Sequence, residues 1–100
     1  MAKRRKFSAE PFGTAVERLM NESGMTYRSL AAKTDLSAGY LNHLVHGNRP
    51  VPSNSVIDRL AGALDIDPDH FREYRMRVIA DQLLERPDLV DRLYRRLSST

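Results

Sequence analysis

Residues 26–49 read TYRSLAAKTDLSAGYLNHLVHGNR. Thr26 and Ser37 each stand before a short apolar periodicity. Their hydroxyls are suited to accept first-turn amide hydrogens, so each marks a helix start. The spacing predicts one helix over Tyr27 to Thr34 with Leu30 and Ala31 facing inward, and a second from Ala38 to about His46 with Leu41, Leu44 and Val45 inward. Gly47 ends the second. Asp35 and Leu36 leave a joint of only two or three residues. So short a joint calls for a residue at positive φ, which Asp tolerates better than most residues and less well than Gly. Ala31 and Ala32 are small enough for a close helix crossing.

The rest of the chain is read outward from this pair. Phe12, Val16, Leu19 and Met20 recur at helical spacing, which predicts a first helix from about Glu10 to Ser23, stopped by Gly24. After the pair, Asn48-Arg49-Pro50-Val51-Pro52 cannot be regular helix, because each proline disfavours helix in the residue before it. Ser53 is expected to cap a fourth helix to about Leu64, with Val56, Ile57, Leu60, Ala61 and Leu64 on one face. Asp67-Pro68 reads as a cap with proline at the first helical position. It opens a fifth helix to about Glu85, carrying Phe71, Tyr74, Val78, Ile79 and Leu83. Pro87 breaks or kinks it, and a last helix from about Asp88 to Ser98 carries Leu89, Val90, Leu93, Tyr94 and Leu97. No strand-like alternation and no internal repeat is present.

The 100 residues suit one compact core, and 41% of them are hydrophobic. No apolar run approaches the roughly 18 residues of a membrane span, and no apolar stretch follows the basic start, so neither an anchor nor a secretory signal is read. The absence of cysteine excludes disulfides, thiolate metal sites and cysteine nucleophiles, and agrees with a cytoplasmic setting. The net charge is +3, and its distribution is uneven. Lys3, Arg4, Arg5 and Lys6 form a basic arm, whereas residues 7–65 hold five basic and six acidic side chains and residues 66–100 hold seven of each. Such an arm suits phosphate contact through counterion release; a solvated terminus has the same composition.

Two short helices with a tight joint match the helix-turn-helix geometry, in which one helix braces across the DNA backbone and the next lies in the major groove. The outer face of the third helix carries Ser37, Ala38, Gly39, Tyr40, Asn42, His43 and His46. Asn42 and His43 can bond base edges, and Tyr40 can reach a phosphate or a thymine methyl. The small Ala38 and Gly39 permit backbone approach to DNA.

Leu30-Ala31-Ala32-Lys33, Leu36-Ser37, Tyr40 through Pro50 and Leu60 through Ile66, in this order and spacing, resemble the phage repressor family of Cro/cI type, also called XRE. The resemblance covers about Phe12 to Tyr74. It implies an all-α, five-helix repressor-like helix-turn-helix domain, here with an extended fifth helix and a short sixth. It also implies binding to double-stranded DNA, with Tyr27 and Arg28 near phosphates and Ala38, Gly39 and His43 at base-reading positions. Ser37 and Asn42 border these, and His46, Asn48 and Arg49 hold the backbone from the following loop. The arm Lys3, Arg4, Arg5 and Lys6 would wrap the duplex. Three departures from the pattern stand out: Tyr27 replaces a usual glutamine, Asp35 a favoured glycine, and Ala38-Gly39 long polar readers. Specificity then rests on Tyr40, Asn42 and His43, or on DNA shape.

The domain organisation expected is an arm over 1–9, a DNA-binding domain over 10–75 and a helical extension over 76–100. The last two helices offer Tyr74, Leu83, Leu84, Leu89, Leu93 and Leu97 for dimerisation, because repressor-type modules usually bind paired half-sites as symmetric dimers. Their arginines, Arg72, Arg75, Arg92 and Arg95, read most simply as a solvated face. The expected function is a bacterial or phage transcriptional regulator. Alternatives are an antitoxin whose C-terminal helices cover a toxin, or a helical module whose Tyr40 and His43 face a protein such as a polymerase subunit. His43 and His46, three residues apart, lack a third metal ligand nearby, so no metal or cofactor is expected. No phosphate loop or nucleophile elbow supports an enzyme.

Overall fold

The computed structural model describes residues 7–99, which form six α-helices and one 3₁₀ turn and contain no strand. Helix α1 spans Phe12–Ser23 and α2 Tyr27–Thr34; α3 spans Ala38–Val45 and α4 Asn54–Ala63. A 3₁₀ turn at Pro68–His70 precedes α5, Arg72–Leu84, and α6 is Pro87–Ser98.

Local chemistry accounts for most of these limits. Helix α1 starts two residues after the expected Glu10, because Pro11 holds the N-cap with ψ 150° and keeps Glu10 out of the helical region. Its first free amide is capped from the far end of the sequence: Phe12 N donates to Glu73 Oε2 at 3.2 Å. Gly24 stops it at φ 69°. Helix α2 opens with a reciprocal capping box between Thr26 and Ser29. Ser37 caps α3 by accepting from Tyr40 N at 3.0 Å. Ser53 precedes α4 without capping it; its hydroxyl instead shares a hydrogen bond of 3.0 Å with Ser55.

The continuous fifth helix expected from Pro68 is interrupted. Phe71 takes φ −86° and ψ 127°, which separates the 3₁₀ turn from α5. The bend lets Phe71 insert its ring against Phe12, with centroids 4.8 Å apart, and both are almost wholly buried. Burying an aromatic side chain outweighs the one helical turn given up. Pro87 does not kink a helix; it occupies the first turn of α6, where its missing amide is no loss.

One core joins Phe12, Val16 and Leu19 of α1, Leu30 of α2, Leu41 and Leu44 of α3, Ile57 and Leu60 of α4, and Phe71. Helix α3 packs on α1 and α2, α4 on α2, and α5 on α4. The arginines of α5 are not a solvated face. Arg75 donates to the carbonyls of Ser8, Asp69 and His70, each at 2.8 Å, and stacks over the Phe7 ring. Arg72 donates to Ala9 O at 3.0 Å, and Arg77 donates to the carbonyls of Val51 and Pro52. These cations satisfy backbone carbonyls that no regular element would. Arg92 does lie on an exposed surface, paired with Asp88.

Helices α5 and α6 hold no buried residue. Tyr74 packs against the core and belongs to the body rather than to a free dimer face. Leu83, Leu89 and Leu93 are half-buried, whereas Leu84 and Leu97 are largely exposed, as are Met76, Ile79 and Tyr94. The radius of gyration of 15.7 Å exceeds the ~13 Å usual for 100 residues.

Candidate nucleic-acid interface

Helices α2 and α3 are set against each other by one backbone feature. Asp35 adopts φ 60° and ψ 30°, and its amide donates to Ala31 O at 3.1 Å, closing α2. The chain therefore turns within Asp35-Leu36, as the short joint requires. From the other side, Arg59 of α4 donates to Thr34 O at 3.1 Å, adding a charged cap to the same helix end. Thr34 is itself buried and bonds Leu30 O at 2.8 Å.

The back of α3 is fixed by Leu41 and Leu44 in the core and by a close approach to α1 that the sequence reading missed. A Cβ added to Gly13 would lie 2.6 Å from Val45 O and 2.7 Å from Leu44 O. Only glycine lets α1 reach the last turn of α3. The sequence signal was thin: one glycine at the second position of an otherwise apolar-periodic helix.

The outer face of α3 is open. Gly39, Asn42, His43 and His46 are exposed, as are Asn48 and Arg49 in the following loop. The side chains of Asn42, His43, Asn48 and Arg49, and that of Arg28 on α2, make no hydrogen bond or ion pair with the described residues. His46 is tied back, its Nδ1 lying 2.7 Å from Asn42 O, which leaves Nε2 outward. Ser37 is exposed while its hydroxyl caps the helix, and Ala38 is half-buried. Nothing lies within 4 Å of a Cβ built on Gly39, so no packing requires glycine there.

The two tyrosines sit differently from the polar readers. Tyr40 is half-buried and packs against the core. Tyr27 also packs against the core and lines an apolar hollow with Met20 and Met25. Burial, aided by the charge of Glu17, raises its phenol above the ordinary range, so the hydroxyl is a neutral donor at physiological pH. Lys3, Arg4, Arg5 and Lys6 lie outside the described residues. Their root does not: Phe7 to Ala9 are held by Arg72 and Arg75 beside the start of α5.

The cations thus divide by use. Arg18, Arg59, Arg72, Arg75 and Arg77 bond within the fold. Arg28 on α2 and Arg49 in the loop after α3 are exposed and bond to none of the described residues. Asn42 and His43, exposed on α3, carry groups chemically able to bond base edges, and the two free guanidinium groups are able to bond phosphate.

A helix-turn-helix pair on a small helical core, with its second helix exposed, defines a DNA-binding domain of that type. The family model described as "Helix-turn-helix domain" matches residues 11–74, and the chain belongs to that family, which is found in XRE-like DNA-binding regulators. No curated protein and no solved structure matches the chain.

Proposed function

We propose that the protein is a sequence-specific transcriptional regulator of the Cro/cI type that binds a palindromic operator as a homodimer. The observation that carries this reading is the face of α3, where Asn42 and His43 stand exposed and unengaged on a helix whose other side is locked into the core. Binding would occlude a promoter or place a partner on it. The protein acts as a cytoplasmic binding protein rather than as an enzyme, and needs no cofactor. The arm Lys3 to Lys6 adds affinity without sequence preference. No helix among the described residues is long and apolar enough to cross a membrane.

Selection of bound fragments from random duplex DNA tests the reading directly. The expected result is an enriched palindrome, bound in a gel shift that weakens with salt. Absence of any DNA binding at low salt would overturn it, and would favour an antitoxin or another protein-binding module.

A further inference from the structure

We infer that Arg77 is a positioning residue for DNA binding: its guanidinium fork holds the loop after α3 and thereby sets where Arg49 meets a phosphate. The inference deepens the proposed DNA reading and rests on it for what Arg49 touches. Arg77 lies outside residues 11–74, the segment that the family model matches.

The loop between α3 and α4, residues 46–53, has little means of holding itself. Pro50 and Pro52 bring no amide hydrogen, and no amide of residues 49–53 donates to a backbone carbonyl among the described residues. The near end is tied to α3, where Gly47 N donates to Leu44 O at 3.2 Å and Asn48 N to His43 O at 2.8 Å. At the far end Pro52 is buried and Val51 packs against the core. Apolar burial fixes depth but not direction, because the hydrophobic effect is non-directional.

Arg77 supplies the direction. Its Nη1 donates to Pro52 O and, at 3.3 Å, to Asn54 Oδ1; its Nη2 donates to Val51 O at 3.1 Å. One planar group thus spans two successive carbonyls of the loop and the first residue of α4. Arg77 is half-buried and pairs with no carboxylate among the described residues, so its charge is committed to these acceptors. Charge-assisted bonds from a preorganised fork hold geometry better than bonds from a flexible ammonium.

The hold reaches Arg49 because the chain between is stiff. Each proline fixes its own φ and confines the residue before it to extended backbone. Between the Arg49 Cα and the Val51 carbonyl, the torsions left soft are chiefly ψ of Pro50 and φ of Val51. Arg49 is therefore suspended between two anchors, α3 at Asn48 and the fork at Val51. With the fork gone it hangs from one end, and its ordering becomes an entropic cost of binding.

Arg77→Met keeps the aliphatic stem and removes the fork. Backbone amide relaxation by NMR on the free protein gives the first readout. Order parameters at Arg49 and Val51 are expected near the rigid value of about 0.85 in the wild type and below about 0.6 in the variant, with the amides of α1 unchanged. Arg77→Lys keeps the charge without the fork and should loosen the same two residues; it takes over should Arg77→Met not fold. A loop as ordered in the folded variant as in the wild type would overturn the inference. DNA affinity gives the second readout, as a double-mutant cycle with Arg49→Ala. Arg77→Met alone should weaken binding about fivefold, on operator and random duplex alike, because a phosphate contact carries no sequence information. Added to Arg49→Ala, it should cost less than about twofold. An undiminished loss in that background would mean that Arg77 acts by a route other than Arg49, and would overturn the inference. The two proposals fail separately. A wild type that binds no DNA, while its loop loosens in Arg77→Met, overturns the functional reading and with it the phosphate contact, but not the anchoring of the loop by Arg77.

Discussion

Residue 39 states a conflict that the fold alone does not resolve. Glycine inside a helix is less stable than alanine by roughly 0.5–1 kcal/mol, and Gly39 sits in α3 with open space where a side chain would be. Gly62 in α4 has the same surroundings but lies outside the proposed reading face, so it serves as the control. Alanine at either position should raise stability by about 0.5–1 kcal/mol, measured by denaturant unfolding. Only Gly39→Ala should weaken operator binding, because a methyl there would stand between the helix backbone and the groove. Equal DNA affinity in the two variants would remove Gly39 from the interface. Asn42 and His43 make the complementary case. Alanine at either should cost about 1–3 kcal/mol of binding on the selected operator and little on random DNA. Equal losses on both DNAs would mean that they touch phosphate rather than base edges.

At the scale of elements, the joining contacts matter more than the helices they join. Gly13→Ala sets a favourable helix propensity of about 1 kcal/mol against a Cβ driven onto two backbone carbonyls. Backbone cannot swing aside as a side chain can, so overpacking should prevail. A net loss of about 1–2 kcal/mol is expected, read as a fall in Tm of about 4–8 °C per kcal/mol. The end of α3 should be displaced as well, which would lower operator affinity more than random-DNA affinity.

The segment before α1 is tied through Glu10, which accepts from Arg18 Nε at 2.8 Å. That hydrogen bond, supported by Ser8 and by the charge of Arg18, holds the Glu10 carboxyl below its ordinary 4.5. A carboxylate whose folded pKa is depressed contributes stability above its unfolded pKa and loses it as pH falls through the folded value. Stability of the wild type should therefore decline below about pH 4.5, and Glu10→Gln should flatten part of that decline in pH-dependent melting. Both groups are about one-third exposed, so the effect should be small.

Legibility in the sequence follows the same division. Helices announced by local chemistry were readable: the boundaries of α2 follow from Thr26, Asp35 and Ser37 and their immediate neighbours. What escaped was set by distant partners. Phe71 leaves the helical region to reach Phe12, Glu73 caps a helix 61 residues earlier, and Arg72, Arg75 and Arg77 bond carbonyls that no local pattern identifies. On the candidate site, the exposure of Asn42 and His43 followed from helical period. The half-burial of Tyr27 and Tyr40 against the core depended on tertiary packing and did not.

At the scale of the whole molecule, the distribution of charge sets how the protein meets DNA. Residues 7–65 carry five basic and six acidic side chains, and two of those cations, Arg18 and Arg59, are engaged inside the fold. Long-range attraction to a duplex therefore falls to Lys3, Arg4, Arg5 and Lys6. The residues that follow them are held: Arg75 grips Phe7 and Ser8 and Arg72 grips Ala9, on the same body that positions α3. Each cation that neutralises a phosphate steepens the dependence of log K on log salt by about 0.9. Replacing the four arm cations with alanine should thus reduce the slope by about 3–4 and weaken operator and random DNA alike. Stability should be nearly unchanged, because the clamped residues remain. Breaking the clamp with Arg75→Ala keeps every arm charge but frees its root. It should shift the slope far less than removal of the arm, while lowering Tm through three lost hydrogen bonds, of which only the one to His70 O leaves its carbonyl another donor, Ser8 N. A slope unchanged by removal of the arm would place the phosphate contacts on Arg28, Arg49 and the body instead.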